Sequence, residues 1–350
     1  MSEAATRFSR AGLLRFLACV LIVTGLAGLY ALAGGEREGR GPRRVLMIGW
    51  DGTQRPRLHK LLGEGRLPNL RRLIDQGSLL DLSVVTGKTE TKPGWAEILT
   101  GYPSEVTGVY SNRKRYRPIP EGYTIFERLE KHFGNAGIET LLIAGKEQNF
   151  GTRAEHRVWP RGGRKIWFDE TRWSKEVLEQ EQILTFTGEP YMLARRHIDV
   201  FKNGLHEADR VGEQVLENLR QVANKRFFFF AHFEEPDEQG HVFGEGSREY
   251  SDALAGNDRW LGKILDLLRG LGLEKDTLVY VLGDHGFNND QQNHKHAPDT
   301  FLATNDRQIA EKQAERKDLT PTLLQRYGVE LRSLVPPLPG KVLGARGELP

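Results

Sequence analysis

Short, almost uninterrupted apolar runs separated by helical patterns constrain this chain more than any other feature. Val45-Leu46-Met47-Ile48, Leu141-Leu142-Ile143-Ala144, Phe227 to Phe230 and Thr277-Leu278-Val279-Tyr280-Val281-Leu282 all have strand length. A strand that is apolar on both faces must be covered on both faces, and in parallel sheets helices supply the cover. Helical patterns lie between these runs. One carries Leu58, Leu61 and Leu62, and a second opens at Leu67-Pro68-Asn69 and carries Leu70, Leu73 and Ile74. Others run from Pro93 to Leu99, Arg195 to Asn224, Ser251 to Leu271 and Leu319 to Tyr327, while Leu79–Val85 alternates as a strand does. The expected fold is α/β, with a mostly parallel central sheet and helices on both faces. Gly49-Trp50-Asp51-Gly52 should stop the first strand.

Composition narrows the function. The 350 residues are 38% hydrophobic and 28% charged, which is globular. The formal net charge is +3, and Arg7, Arg10 and Arg15 against Glu3 place most of it in residues 1–34. The remainder is near neutral, so nucleic-acid binding by bulk charge is excluded. The single cysteine, Cys19, lies in the apolar N-terminal stretch and leaves neither a disulfide framework nor a thiolate zinc site. Any metal must be held by histidines and carboxylates.

Phe16 to Gly35 is uncharged, and as a helix it would span about 30 Å, one hydrocarbon core. Three arginines precede it, and Ala31-Leu32-Ala33 reads as a cleavage site. Residues 1–34 are thus expected to be a signal peptide or a signal anchor. Either exports the rest, anchored facing the periplasm or exterior, or secreted after cleavage. Residues 35–43 read as a linker, 44–335 as the catalytic body and 336–350 as a tail. Within the body, 151–196 holds Trp159, Trp167 and Trp173 among Arg153, Arg157, Arg161, Arg164 and Lys165. This is either a surface insertion or a cap over an anionic substrate. Nothing in the sequence sets an oligomeric state.

In open parallel sheets, ligands bind beyond the carboxyl ends of the strands. Asp51, Asp237 and Asp284 each follow an expected strand, with His241 four residues after Asp237 and His285 beside Asp284. His294 and His296 come shortly after. One aspartate after a strand is usually a turn or a cap; the ordered set is far more specific. Carboxylates with imidazoles suit catalytic zinc and other divalent cations. So many ligands exceed one tetrahedral site, so two cations are natural, and two at ~3.5–4 Å can clamp both oxygens of a phosphoryl displacement. Thr91, in Thr89-Glu90-Thr91-Lys92-Pro93, puts a hydroxyl at a helix start, as a nucleophile or merely a cap.

Several motifs together carry a resemblance. Trp50-Asp51-Gly52, Leu67-Pro68-Asn69-Leu70, Thr89 to Pro93 and Ile98-Leu99-Thr100-Gly101 come first; Glu235-Pro236-Asp237 with His241, Asp284-His285-Gly286 and a late histidine follow. Their order resembles the alkaline phosphatase superfamily, in its type I phosphodiesterase/nucleotide pyrophosphatase branch, over roughly residues 44–330. The resemblance implies that Asp51, Thr91, Asp284 and His285 hold one zinc, with Thr91 the nucleophile. It implies that Asp237, His241 and His294, or His296 in its place, hold the other. Asn112 falls where the family places an asparagine that bonds a phosphoryl oxygen, and the Thr91 N–H would be a second donor.

The implied activity is metal-dependent hydrolysis of a phosphodiester, pyrophosphate or phosphomonoester, on a small-molecule or lipid substrate, through a phospho-threonine. The departures are Thr107, where the family usually has histidine, and Lys92 and Trp95 beside the nucleophile, which weaken a nucleotide substrate. A threonine cannot become the formylglycine of sulfatases. The alternatives are a phosphoryl or phospho-headgroup transferase of the same fold and a membrane-anchored, non-catalytic binding protein.

Overall fold

A computed structural model describes residues 44–112, 119–147, 149–150 and 198–344, together with the backbone of three short strands between 155 and 187. The strands, in chain order, are β1 (Arg44–Trp50), β2 (Ser78–Ser83), β3 (Glu139–Ala144), β4 (Glu155–Arg161), β5 (Arg164–Trp167), β6 (Leu184–Thr187), β7 (Val200–Lys202), β8 (Phe227–Phe233), β9 (Thr277–Leu282), β10 (Asp299–Thr304) and β11 (Gln313–Glu315). Eight form one sheet in the order β11-β2-β10-β9-β1-β8-β3-β7. Five of its pairings are parallel, and only β10 runs against its neighbours β9 and β2.

Alternation along each strand divides the core in two. Val45, Met47, Phe228 and Phe230 face Trp95, Leu99, Phe126 and Leu323. Leu46, Ile48, Phe227 and Phe229 face Leu61, Leu70, Val215, Leu261 and Ile264. The helices Thr91–Thr100, Ile125–Phe133 and Leu319–Arg326 cover the first face; Arg55–Gly63, Pro68–Ile74, Ala208–Gln221 and Arg248–Gly270 cover the second. Each fully buried aliphatic or aromatic side chain contributes about 1.5–3 kcal/mol, so both layers are needed. The mixed α/β sandwich is the one that the apolar runs imply.

β1 ends at Trp50, inside the Gly49-Trp50-Asp51-Gly52 stretch expected to stop it. A Cβ at Gly49 would lie 2.5 Å from the Trp95 ring, so the glycine admits a tryptophan across the strand. One local expectation is corrected: the segment from Arg195 to Asn224 is not one helix. Val200–Lys202 is an edge strand paired with β3, and the helix covers only Ala208–Gln221. The free edge of β3 offers backbone partners that a helix there would forgo, and His206, at φ 58°, turns the chain before the helix starts. Residues of the expected C-terminal tail bond to the body, with the Lys341 N–H donating to Asp318 Oδ1 at 2.9 Å. Leu343 is fully buried, and its N–H donates to Thr322 Oγ1 at 2.9 Å.

Within 151–196, β4 pairs antiparallel with β5 and with β6. The tryptophans and arginines of that stretch lie outside the described side chains, and residues 1–43 lie outside the described residues. Among the described residues, no helix is long and apolar enough to cross a membrane.

Candidate metal centre

The sheet order brings the carboxyl ends of β9, β1, β8 and β3 side by side. Neighbouring strands are ~4.8 Å apart, so residues just past these ends can touch. Asp51 follows β1 directly, and its N–H donates to Phe233 O at 3.0 Å, which pins it to β8. Asp284 lies two residues past β9, and Asp237 sits in the first turn of the helix Glu235–Phe243 with His241 one turn on. His294 comes from the loop before β10, where Asn288 N–H donates to Asn293 O at 2.9 Å.

These side chains form two groups of donor atoms. Asp51, Asp284 and His285 make one and are fully buried. His285 Nε2 lies 3.4 Å from Asp51 Oδ1 and 3.5 Å from Asp284 Oδ2. The other centres on Asp237 Oδ1, with His241 Nε2 at 3.5 Å, His294 Nε2 at 3.9 Å and His285 Nε2 at 3.9 Å. His241 and His294 face each other, Nε2 to Nε2, at 3.2 Å. His285 Nδ1 lies 3.0 Å from Gly286 O, and His241 Nδ1 lies 2.9 Å from Gln292 O. Those carbonyls hold the ring protons on Nδ1 and leave each Nε2 lone pair for a ligand. His296 is exposed and contributes only its N–H, to Asn288 Oδ1 at 3.2 Å.

Asp51 Oδ1, Asp237 Oδ1, Asp284 Oδ2 and His285 Nε2 are buried with no hydrogen-bond partner. Buried polar atoms are otherwise almost always paired, and an unpaired one is costly. Four converging orphans of this chemistry fit divalent cations. The electrostatics agree. Burial, followed by the charge of Asp51, pushes the Asp284 carboxyl up to about 7. Burial works to raise Asp51 as well, but Lys146, His232 and His285 outweigh it and hold it below the usual carboxylate range. His294 is pushed down to about 3, by burial and by the neighbouring His285, so its imidazole is neutral.

Thr91 is the first residue of its helix and is buried. Glu90 occupies the capping position, so the Thr91 hydroxyl is not spent on a cap; it lies 3.4 Å from Lys146 Nζ. Asn112 Oδ1 accepts from the Lys92 N–H at 2.9 Å, which ties that loop to the start of the helix. Arg316 anchors the helix to the sheet: it donates to Asp284 O at 2.7 Å and to Lys88 O at 2.8 Å, and meets Glu97 Oε2 at 2.6 Å. Gly52, at φ 63°, passes so close that a Cβ would lie 2.7 Å from Asp237 Oδ1. A cleft of about 520 Å³ opens beside Thr89 and Glu90, with Lys88, Tyr110, Lys295 and His296 in its walls.

Sequence reasoning missed two members. Lys146 follows β3 by two residues and bonds Asp237 Oδ2 while lying 3.1 Å from Asp51 Oδ2. His232 lies within β8 and meets Asp51 Oδ2 at 2.8 Å. The signals were present: a charged residue past a strand end, and one imidazole in an otherwise apolar strand.

The fold and these donor groups define a protein of the alkaline phosphatase superfamily. The family model described as "Type I phosphodiesterase / nucleotide pyrophosphatase" matches residues 45–332, and the chain belongs to that family. It is 28% identical over 245 residues to ectonucleotide pyrophosphatase/phosphodiesterase family member 1 of Mus musculus, covering 69% of this chain and 24% of that protein. It is 21% identical over 272 residues to bis(5'-adenosyl)-triphosphatase ENPP4 of Homo sapiens, covering 76% of this chain and 52% of that protein. The chain therefore spans between a quarter and about half of these relatives. Among solved structures, the phosphonate monoester hydrolase SpPMH from Silicibacter pomeroyi shares the fold, with a TM-score of 0.55 at 16% identity over 86% of this chain and 75% of that one.

Proposed function

We propose that the chain is an exported, metal-dependent hydrolase of phosphate esters, with Thr91 as nucleophile and zinc as the cation. The observation that carries this is the pair of donor groups, one of Asp51, Asp284 and His285 and one of Asp237, His241 and His294, meeting beside a buried threonine hydroxyl. Bound there, divalent cations would supply positive charge to the phosphoryl oxygens and lower the pKa of the hydroxyl. Thr91 Oγ1 forms a bond to phosphorus as the bond to the leaving oxygen breaks, and the proton of Thr91 passes through solvent to that oxygen, which departs protonated. Water then attacks the phospho-threonine, releasing phosphate or its monoester and restoring the hydroxyl. The Asn112 amide nitrogen and the Thr91 N–H would donate to the phosphoryl oxygens; such preorganised donors are worth about 3–4 kcal/mol each. The uncharged run from Phe16 to Gly35 after three arginines supports export, with or without anchoring.

Elemental analysis and a screen of chromogenic phosphomonoesters and diesters, with and without chelator, test the reading. About two zinc ions per chain and chelator-sensitive turnover are expected, and Thr91→Ala should lose turnover while keeping metal. Protein that binds no zinc would instead be a binding protein on the same fold. Full activity in Thr91→Ala would remove Thr91 as nucleophile. Product transfer to added alcohols would mark a transferase.

A further inference from the structure

Lys146 has no part in the reading above, and its surroundings give it one. Its Nζ bonds Asp237 Oδ2, lies 3.1 Å from Asp51 Oδ2 and is 3.9 Å from Glu238 Oε1. Asp51 and Asp237 belong to different donor groups, so this one ammonium bridges the two. Each of the two carboxylates is divided between partners. Asp237 Oδ2 faces the ammonium and Asp51 Oδ2 faces the ammonium and His232, whereas each Oδ1 faces the metal-site imidazoles and has no hydrogen-bond partner. The lysine side chain is only 11% exposed, so solvent screens these contacts poorly.

We propose that Lys146 is the resident counter-cation of the metal centre, which stabilises its buried carboxylates while no metal is bound and lowers the affinity of the site once metal arrives. This rests on the metal-binding reading above. Three buried carboxylates gathered within 4 Å of His285 Nε2 would repel one another and favour an open or protonated site. A shared ammonium offsets that repulsion and keeps both Oδ1 atoms turned to the imidazoles before any cation binds. Once divalent cations occupy the Oδ1 side, the ammonium becomes a like charge a few ångströms away in a weakly screened interior. The donor set then binds metal less tightly than its chemistry alone allows. The same ammonium, 3.4 Å from Thr91 Oγ1, stays beside the reacting hydroxyl.

The test compares Lys146→Met and Lys146→Arg with wild type, by zinc affinity in competition with a chromogenic chelator and by thermal melting of the metal-free protein. Lys146→Met should melt several degrees lower without metal and bind zinc at least tenfold more tightly. Lys146→Arg keeps the charge and should stay near wild type in both. Unchanged or weaker zinc binding in Lys146→Met overturns the proposal. If the metal-free variant does not fold, it is prepared with zinc and then stripped. More chelator than wild type needs is the expected result, and an equal or smaller amount overturns the proposal. Wild-type protein that binds no zinc overturns both this and the reading beneath it, whereas activity in Thr91→Ala bears only on the latter.

Discussion

His232 Nε2 lies 2.8 Å from Asp51 Oδ2, and neither side chain is exposed to solvent. Burial lowers the pKa of His232 despite its carboxylate partner, so the ring is a neutral donor. It fixes Asp51 without adding a charge, and its own edge packs against Trp95 and Phe150. The first prediction follows from this pair. Removing a partner that orients a metal ligand typically costs 10–100-fold in metal affinity. His232→Ala should therefore weaken zinc binding by about that factor, measured by chelator competition; unchanged affinity would mean that Asp51 is held by other contacts.

Proton and metal compete for Asp284. Its folded pKa, about 7, is raised above the usual 3.8 by burial and by Asp51, so the neutral form is favoured in the metal-free protein. That contribution to stability is present at low pH and is lost as pH rises through about 7. Metal requires the carboxylate, so zinc affinity should fall roughly tenfold per unit as pH drops below this value and level off above it. Titrations between about pH 6 and 8.5 check this, and a flat profile across that range refutes it.

Arg316 and Glu97 form a buried ion pair at 2.6 Å behind the centre, with the arginine also on the carbonyls of Asp284 and Lys88. Breaking one half of such a pair leaves the other charge buried and alone, at about 3–5 kcal/mol. Arg316→Met should lower the urea midpoint accordingly. The double variant with Glu97→Leu should recover much of the loss, because no orphan charge remains. A double variant as unstable as Arg316→Met alone would show that the carbonyl contacts, and not the charge, dominate.

Gly52→Ala should damage the centre more than its size suggests. The residue sits at φ 63°, where a side chain costs roughly 1–2 kcal/mol, and the new methyl would meet Asp237 Oδ1 and the Phe287 ring within 3 Å. The variant should fold with reduced stability and bind zinc weakly. Full zinc binding would show that Asp237 can move aside.

The Gly52 environment shows where sequence reading reaches and where it stops. Its place after an apolar strand was plain, because strand length and two-faced hydrophobicity are local properties. The same is true of Asp51 and Asp284, which follow β1 and β9 within two residues. Lys146 was not legible, because the run from Leu141 to Ala144 says nothing about which strands lie beside it. His232 was hidden for the same reason: inside a strand, an imidazole reads as a satisfied core group until its partner, 181 residues away, is known. The helix expected from Arg195 failed because an edge strand at Val200–Lys202 depends on the open side of β3, a tertiary fact.

By itself, the sequence determined the alternation of strands and helices, the covered sheet and the aspartates at its crest, since all of these follow from spacing and burial along the chain. Only the tertiary structure decided that β9, β1, β8 and β3 stand next to one another. It alone turned His294 inward while His296 faces solvent, and it alone set an ammonium between Asp51 and Asp237. The physical reason is that strand order comes from how whole layers pack, and no local pattern encodes which distant residues that packing brings together.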